Sequence, residues 1–156
     1  MKKTHKKFVL IGALVILGVI LLRYCTGLTD GGIAGFDRNR DGVRDDIEAF
    51  IDKEYGHDKR LRSVIRQLAK DIQNKIEHPD TTDYRDSGKT LNCLRHLVGD
   101  GAKVIDMLRA IESAAANTYP RIRAFIRHNA RFNGKILTSY PGDVKSACDF
   151  DPSLVP

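Results

Sequence analysis

The chain carries none of the local signatures by which many enzymes announce themselves. It has no H-E-x-x-H zinc pair, no G-x-S-x-G nucleophile turn, no phosphate-cradling glycine loop and no dinucleotide fingerprint. The reaction classes that depend on such motifs are therefore not indicated. Carboxylate pairs assembled only in space leave no motif, so the enzyme question is left to the structure. No stretch alternates polar and apolar residues long enough to make a strand, and there is no internal repeat or low-complexity run. Cysteine is scarce, with three in 156 residues.

A surplus of one charge sign is also missing once the charges are placed. The net charge is +6, but Lys2, Lys3, Lys6, Lys7 and Arg23 flank the first apolar run and supply five of those charges. Removing them from the 26 basic residues leaves 21 against 20 acidic ones. A nearly neutral remainder is no footprint for nucleic acid.

Residues 8–22, FVLIGALVILGVILL, are apolar and uncharged behind a lysine-rich start, the pattern of an export signal. Three readings compete. A cleavable signal peptide wants small residues before the cut, and RYCTGL offers only Thr26–Gly27. A lipoprotein signal wants small residues before Cys25, where Arg23 and Tyr24 stand. An uncleaved signal anchor has only about 22 Å of helix against a hydrocarbon core of roughly 30 Å. Arg23 snorkelling and Tyr24 at the interface lengthen it, and the residues favour the anchor. All three readings export the rest of the chain, because the lysines hold the N-terminus in the cytoplasm. The MKKT opening looks bacterial, which makes the destination the periplasm. The expected arrangement is a signal anchor or signal peptide over 1–25, a glycine-rich linker over 26–36 and an exported domain over 37–156.

An oxidising compartment suits a Cys93–Cys148 disulfide that ties the C-terminal tail to a helix. The alternative is two thiols, one buried as a small apolar residue. Cys25 is left over, to be lipidated, free or a bridge between copies.

Helical periodicity organises the rest. Ile47, Phe50, Ile51 and Tyr55 lead to Gly56, and Asp58 caps a helix striped by Leu61, Val64, Ile65, Leu68, Ile72 and Ile76. HPDTTDYRDSG reads as a loop. Leu91, Leu94 and Leu97 mark a short helix, and Val104, Ile105, Leu108 and Ile111 another. Pro120 opens a last helix whose apolar positions are Ile122, Phe125, Ile126 and Ala130, ended by Asn133–Gly134. The fold class is all-α, a small bundle of four to five helices.

DRNRDGVRDDIE, residues 37–48, is the one stretch with the spacing of a metal cage. Calcium needs six to eight oxygens at roughly 2.3–2.6 Å. Asp37, Asn39 and Asp41 supply side-chain oxygens at alternate places. Gly42 permits the sharp turn, and Val43 offers its carbonyl. Asp45 binds directly or through water, and Glu48 closes the sphere from the following helix. Arg38, Arg40 and Arg44 alternate with these positions and are expected to face outward. The competing reading is an Asx-rich turn with Asp45 as helix cap.

This stretch resembles the EF-hand-type calcium loops of exported bacterial proteins, including the thrombospondin type 3-like form. The resemblance covers these twelve residues and the helix behind them. No entering helix is evident, Arg44 stands where paired EF-hands place an apolar residue, and there is no second loop. It implies one structural calcium ion rather than a paired sensor.

Arg123, Arg127, Arg131 and Lys135 recur every four residues, with no acid between Glu112 and Asp143. They form either a face for anionic lipid or an acidic partner, or the solvated side of an amphipathic helix. Cys93 and His96 share a helix face but lack a third orienting group. The expected function is a membrane-tethered, periplasmic binding protein with a macromolecular partner in the cell envelope, held to the inner membrane by residues 8–22 and braced by calcium. The alternatives are an envelope inhibitor or immunity-type protein, and a cell-wall or lipid-modifying enzyme. A deep pocket lined by Asp, Glu or His would favour the enzyme, and a flat surface with an apolar patch the binder.

Overall fold

The computed structural model describes residues 12, 14–22, 31–136, 142 and 144–155. From residue 31 onward the described chain forms six helices and no strand: α1 Asp45–Tyr55, α2 Lys59–Glu77, α3 Tyr84–Val98, α4 Gly101–Ala115, α5 Tyr119–Ala130 and the single turn α6 Val144–Ala147. The protein is all-α. Residues 14–22 are helical with their large apolar side chains exposed. The remainder of the expected anchor, and residues 23–30 with Cys25, lie outside the described residues. Among the described residues no helix is long and apolar enough to cross a membrane.

The bundle is built around α2. Its stripe of Val64, Ile65, Leu68, Ile72 and Ile76 is fully buried, and α1, α3, α4 and α5 all pack on it. Each such side chain taken out of water contributes roughly 1.5–3 kcal/mol, which makes α2 the element the others are assembled upon. Asp58 caps it as expected, accepting from the Leu61 N–H at 2.9 Å. Its far end is closed by Thr82, whose hydroxyl donates to the carbonyls of Asn74 and His78.

The expected loop over 78–88 is shorter than its composition implies. Asp83 accepts from the Arg85 N–H and starts α3 at Tyr84, so Ser87 and Gly88 are helical. At the other end of α3, Gly99 takes the left-handed conformation (φ +70°) that stops a helix. The tail returns to α3 through the Cys93–Cys148 disulfide, with a Cα–Cα distance of 5.1 Å. The tail backbone is pinned a second time by the buried Gln67 of α2, which donates to the Ala147 carbonyl and accepts from the Asp149 N–H.

One expected face is turned only in part: Phe125 packs against the core, but its other positions do not. The inward residues of α5 are Arg121, Ala124 and His128, while Ile122 and Ile126 are 42% and 60% exposed. Ile105 of α4 is also exposed. The cause is long-range pairing. Arg121 donates to the Gly32 and Ile33 carbonyls at 2.7 and 3.1 Å and to Asn117 Oδ1 at 2.7 Å, which turns the isoleucines outward.

Candidate functional site

Residues 37–44 lie directly ahead of α1, whose first turn carries Asp45 and Glu48, as the pattern requires. Gly42 is left-handed (φ +86°), and Val43 behind it is 1% exposed and joins the core. Asp37 accepts from the N–H groups of Asp41 (3.3 Å) and Gly42 (2.9 Å), folding the loop around its own carboxylate. Asn39 Oδ1 accepts from the Asp41 N–H and Asp41 Oδ1 from the Val43 N–H. The backbone is therefore wrapped by the side chains expected to wrap it.

The side-chain charges are arranged differently from a cage of inward oxygens alone. Arg66 of α2 reaches across with one guanidinium nitrogen on Asp41 and the other on Glu48 Oε1 at 2.7 Å. Asn39 turns its amide nitrogen towards both Glu48 oxygens at 3.3 Å. Asp45 faces Arg38, accepting from its backbone N–H at 3.0 Å and pairing with its Nε at 3.4 Å. It does not cap α1, whose N-cap residue is Arg44 with no side-chain cap bond. Burial pushes the Asp41 carboxyl up, but the Val43 N–H and the Arg66 and Lys70 charges outweigh it and hold the group below its ordinary value. Among the described residues no three His, Cys, Asp or Glu side chains form a group that could hold a metal ion. The loop backbone is turned by Asp37, Asn39 and Asp41, whereas the carboxylates of Asp41 and Glu48 are set around the Arg66 guanidinium.

Arg38 and Arg40 face solvent as expected. Arg44 does not. It is 1% exposed, and all its guanidinium nitrogens are used: Nε and Nη2 on the two oxygens of Asp46 at 2.9 and 2.8 Å, Nη1 on Gln73 and the Ala115 carbonyl, and Nη2 also on Asn117 Oδ1. A buried guanidinium persists only when its donors are satisfied. Gly35 makes room for it. At φ +76° it favours glycine, and a Cβ there would overlap Arg44 Cδ. With Arg121 holding Gly32 and Ile33, and Gln73 donating to Ala34 at 2.8 Å, the last residues of the expected linker lie packed on the domain.

The basic residues after α4 are drawn partly into structure. Arg127 makes a two-pronged pair with Asp80 at 2.8 and 2.5 Å, and Arg131 donates to the Pro79 and Thr82 carbonyls. Arg123 lies over the Tyr119 ring, and Lys135 over Phe132. Beneath them His128 is buried, and desolvation, aided by the Lys75 and Arg131 charges, holds its pKa below the ordinary histidine value despite the Pro79 backbone contact. Beside Lys75, burial pushes the Glu112 carboxyl up.

Clefts also lie away from the loop. An open groove of about 770 Å³ runs between α5 and the end of α2, with Ile33, Ile76, Ala124 and Ile126 among its walls. A second, of about 520 Å³, separates His96 from the tail residues 148–153. Cys93 is in the disulfide and so forms no thiolate–imidazole pair with His96. Residues that sequence reasoning missed are Arg66 and Asn117. Arg66 had a signal: Arg62, Arg66 and Lys70 recur every four residues along α2, facing the acids of the loop and α1, and Arg62 pairs with Asp52 at 2.7 Å. Comparison with protein-family models, with curated proteins and with solved structures finds no match.

Proposed function

We propose that this chain is a membrane-tethered, exported helical binding protein whose loop 37–48 takes one calcium ion as a structural brace. The observation that carries the calcium reading is the complete twelve-residue ligand pattern on a loop whose Gly42 is left-handed and whose closing Glu48 sits in the first turn of α1. Arg66 then acts as the resident counter-ion. It relieves the repulsion between Asp41 and Glu48 in the absence of metal, and calcium must displace it, which makes the affinity that of a weak extracellular site, roughly 10⁻⁴–10⁻³ M. The tether is residues 8–22, with the helical domain on the periplasmic side of the inner membrane. A binder rather than an enzyme is favoured by the α2–α5 groove, which is open and walled in part by Ile33, Ile76, Ala124 and Ile126, while its two acids are already bonded, Asp80 to Arg127 and Glu77 to Gln73. The test is calcium titration of the full chain followed by calorimetry and thermal melting. A saturable, Glu48-dependent rise in melting temperature is expected, and identical melts in calcium and chelator overturn the calcium reading. A C-terminal reporter that stays in the cytoplasm overturns the export reading.

A further inference from the structure

The outward side of α5 is neither a plain solvated face nor a plain apolar one. Tyr119, Ile122 and Ile126 are 54%, 42% and 60% exposed, and Arg123 and Arg127 stand between them on the same side. Apolar and basic side chains interleaved along one exposed helix face form the surface that lies in a lipid headgroup layer: the rings and branched chains enter the acyl boundary while the guanidinium groups stay at phosphate level.

Two further features point to lipid. The first is charge. No acid occurs between Glu112 and Asp143. Of the two acids at the edge of the adjoining groove, Asp80 is neutralised by Arg127, while Glu77 keeps its charge and accepts from the Gln73 amide. Arg123 lies over the Tyr119 ring and Lys135 over Phe132, and among the described residues neither forms an ion pair with a carboxylate. The second is the tether. The described domain begins at Gly31, and the Gly32 and Ile33 carbonyls are held by Arg121 in the first turn of α5. Nine backbone steps separate Leu22, the end of the apolar run, from Gly31. Such a length spans at most about 30 Å. The chain thus enters the domain at the foot of this helix, within reach of any bilayer that holds residues 8–22.

We infer that the exposed face of α5, with Tyr119, Ile122, Arg123, Ile126, Arg127 and the following Lys135, docks on the anionic lipid surface of the membrane that anchors the chain. The inference rests on the tether reading and adds an orientation to it: the α2–α5 groove is turned to the bilayer, and the α3 side with the tail is turned away.

The chain contains no tryptophan, so an introduced one is a clean reporter. The full chain carrying Ile126→Trp is reconstituted into vesicles of phosphatidylcholine alone, or of phosphatidylcholine with phosphatidylglycerol, with bromine on the acyl chains. Leu154→Trp, on the tail, is the reference. The expected result is quenching and a blue shift for Ile126→Trp that need phosphatidylglycerol, with neither for Leu154→Trp. Adding Arg123→Glu and Lys135→Glu should lower the docked-to-undocked ratio by roughly fivefold or more for each charge. An unchanged far-ultraviolet helix signal and an intact disulfide confirm that these variants are folded. Flotation on pure phosphatidylcholine tests the tether separately. If the chain floats but Ile126→Trp is equally unquenched on both vesicles, the docking inference is overturned while the tether stands. A concentration-dependent blue shift without bromine quenching assigns the face to a second copy and overturns it too. If the chain does not float on the neutral lipid, the tether and the orientation derived from it both fall.

Discussion

Arg44 and Arg121 donate to the same oxygen, Asn117 Oδ1, at 3.3 and 2.7 Å, and each is fully buried. Through this one amide, the first turn of α1, the entering segment 31–35 and the turn between α4 and α5 become a single unit. Asn117 adds its own N–H to Asp46 at 3.1 Å. Burial pushes the Asp46 carboxyl up, but the Arg44 hydrogen bonds outweigh it and keep the group below its usual range.

Removing Arg44 therefore leaves the partly exposed Asp46 with Asn117 but without its counter-charge, and the Ala115 carbonyl without its Arg44 donor. Arg44→Ala is expected to destabilise the fold by about 1–3 kcal/mol in denaturant titration, chiefly through the stranded carbonyl. Gly35→Ala should also lose stability, because its left-handed backbone and the adjacent Arg44 side chain both oppose a Cβ. An Arg44→Ala variant with an unmoved denaturation midpoint would sink this account of the node.

Calcium, if it braces the loop, stabilises by mass action. At ~1 mM calcium and a dissociation constant near ~0.1 mM the gain is about 1.4 kcal/mol, or a few degrees of melting temperature. Glu48→Gln should abolish most of that shift. Arg66→Met should enlarge the calcium response while lowering stability in chelator, since the guanidinium no longer bridges Asp41 and Glu48. An Arg66→Met chain that responds to calcium no more than the parent would rule out competition between the two cations.

The pH dependence has a definite sign at His128. Its pKa is depressed in the folded state, so as pH falls through the ordinary value near 6.5 the unfolded chain takes up a proton that the folded chain refuses. Stability from this group is complete above about 6.5 and is lost as the pH drops towards the folded value. Glu112 works the opposite way, its raised pKa eroding stability as pH climbs above about 4.5. His128→Leu should flatten the stability profile between about pH 7 and 5.5. An unchanged slope in melts across that range would show that His128 does not set it.

The disulfide closes a loop with a sequence separation of 55, worth about 4 kcal/mol by the chain-entropy estimate. Paired Cys93→Ala and Cys148→Ala substitutions should lower stability by that order, without loss of helix signal well below the melting temperature. Recovery of both as free thiols from oxidised protein would contradict the pairing.

Much of the fold is legible because its determinants are local. Val64, Ile65, Leu68, Ile72 and Ile76 show the helical period of α2 without outside help, and Asp58 marks its start. The reading of α5 went astray for the opposite reason. Ile122 and Ile126 look like core residues until the partners of Arg121 are known, and those partners, Gly32, Ile33 and Asn117, include carbonyls some ninety residues away. The same holds for Arg44. Its place in the ligand pattern gave no sign that Asp46, Gln73 and Ala115 would converge on it. The loop pattern itself is readable letter by letter, but its counter-ion Arg66 comes from a different helix.

The bridge between α3 and the tail has a consequence beyond stability. A protease that cuts the backbone once, anywhere between Cys93 and Cys148, does not separate the products. The fragments stay joined through sulfur, and the severed tail remains on α3 with Gln67 still bonded to Ala147 and Asp149. Such a nicked chain would migrate as one species until reductant is added, and then as two.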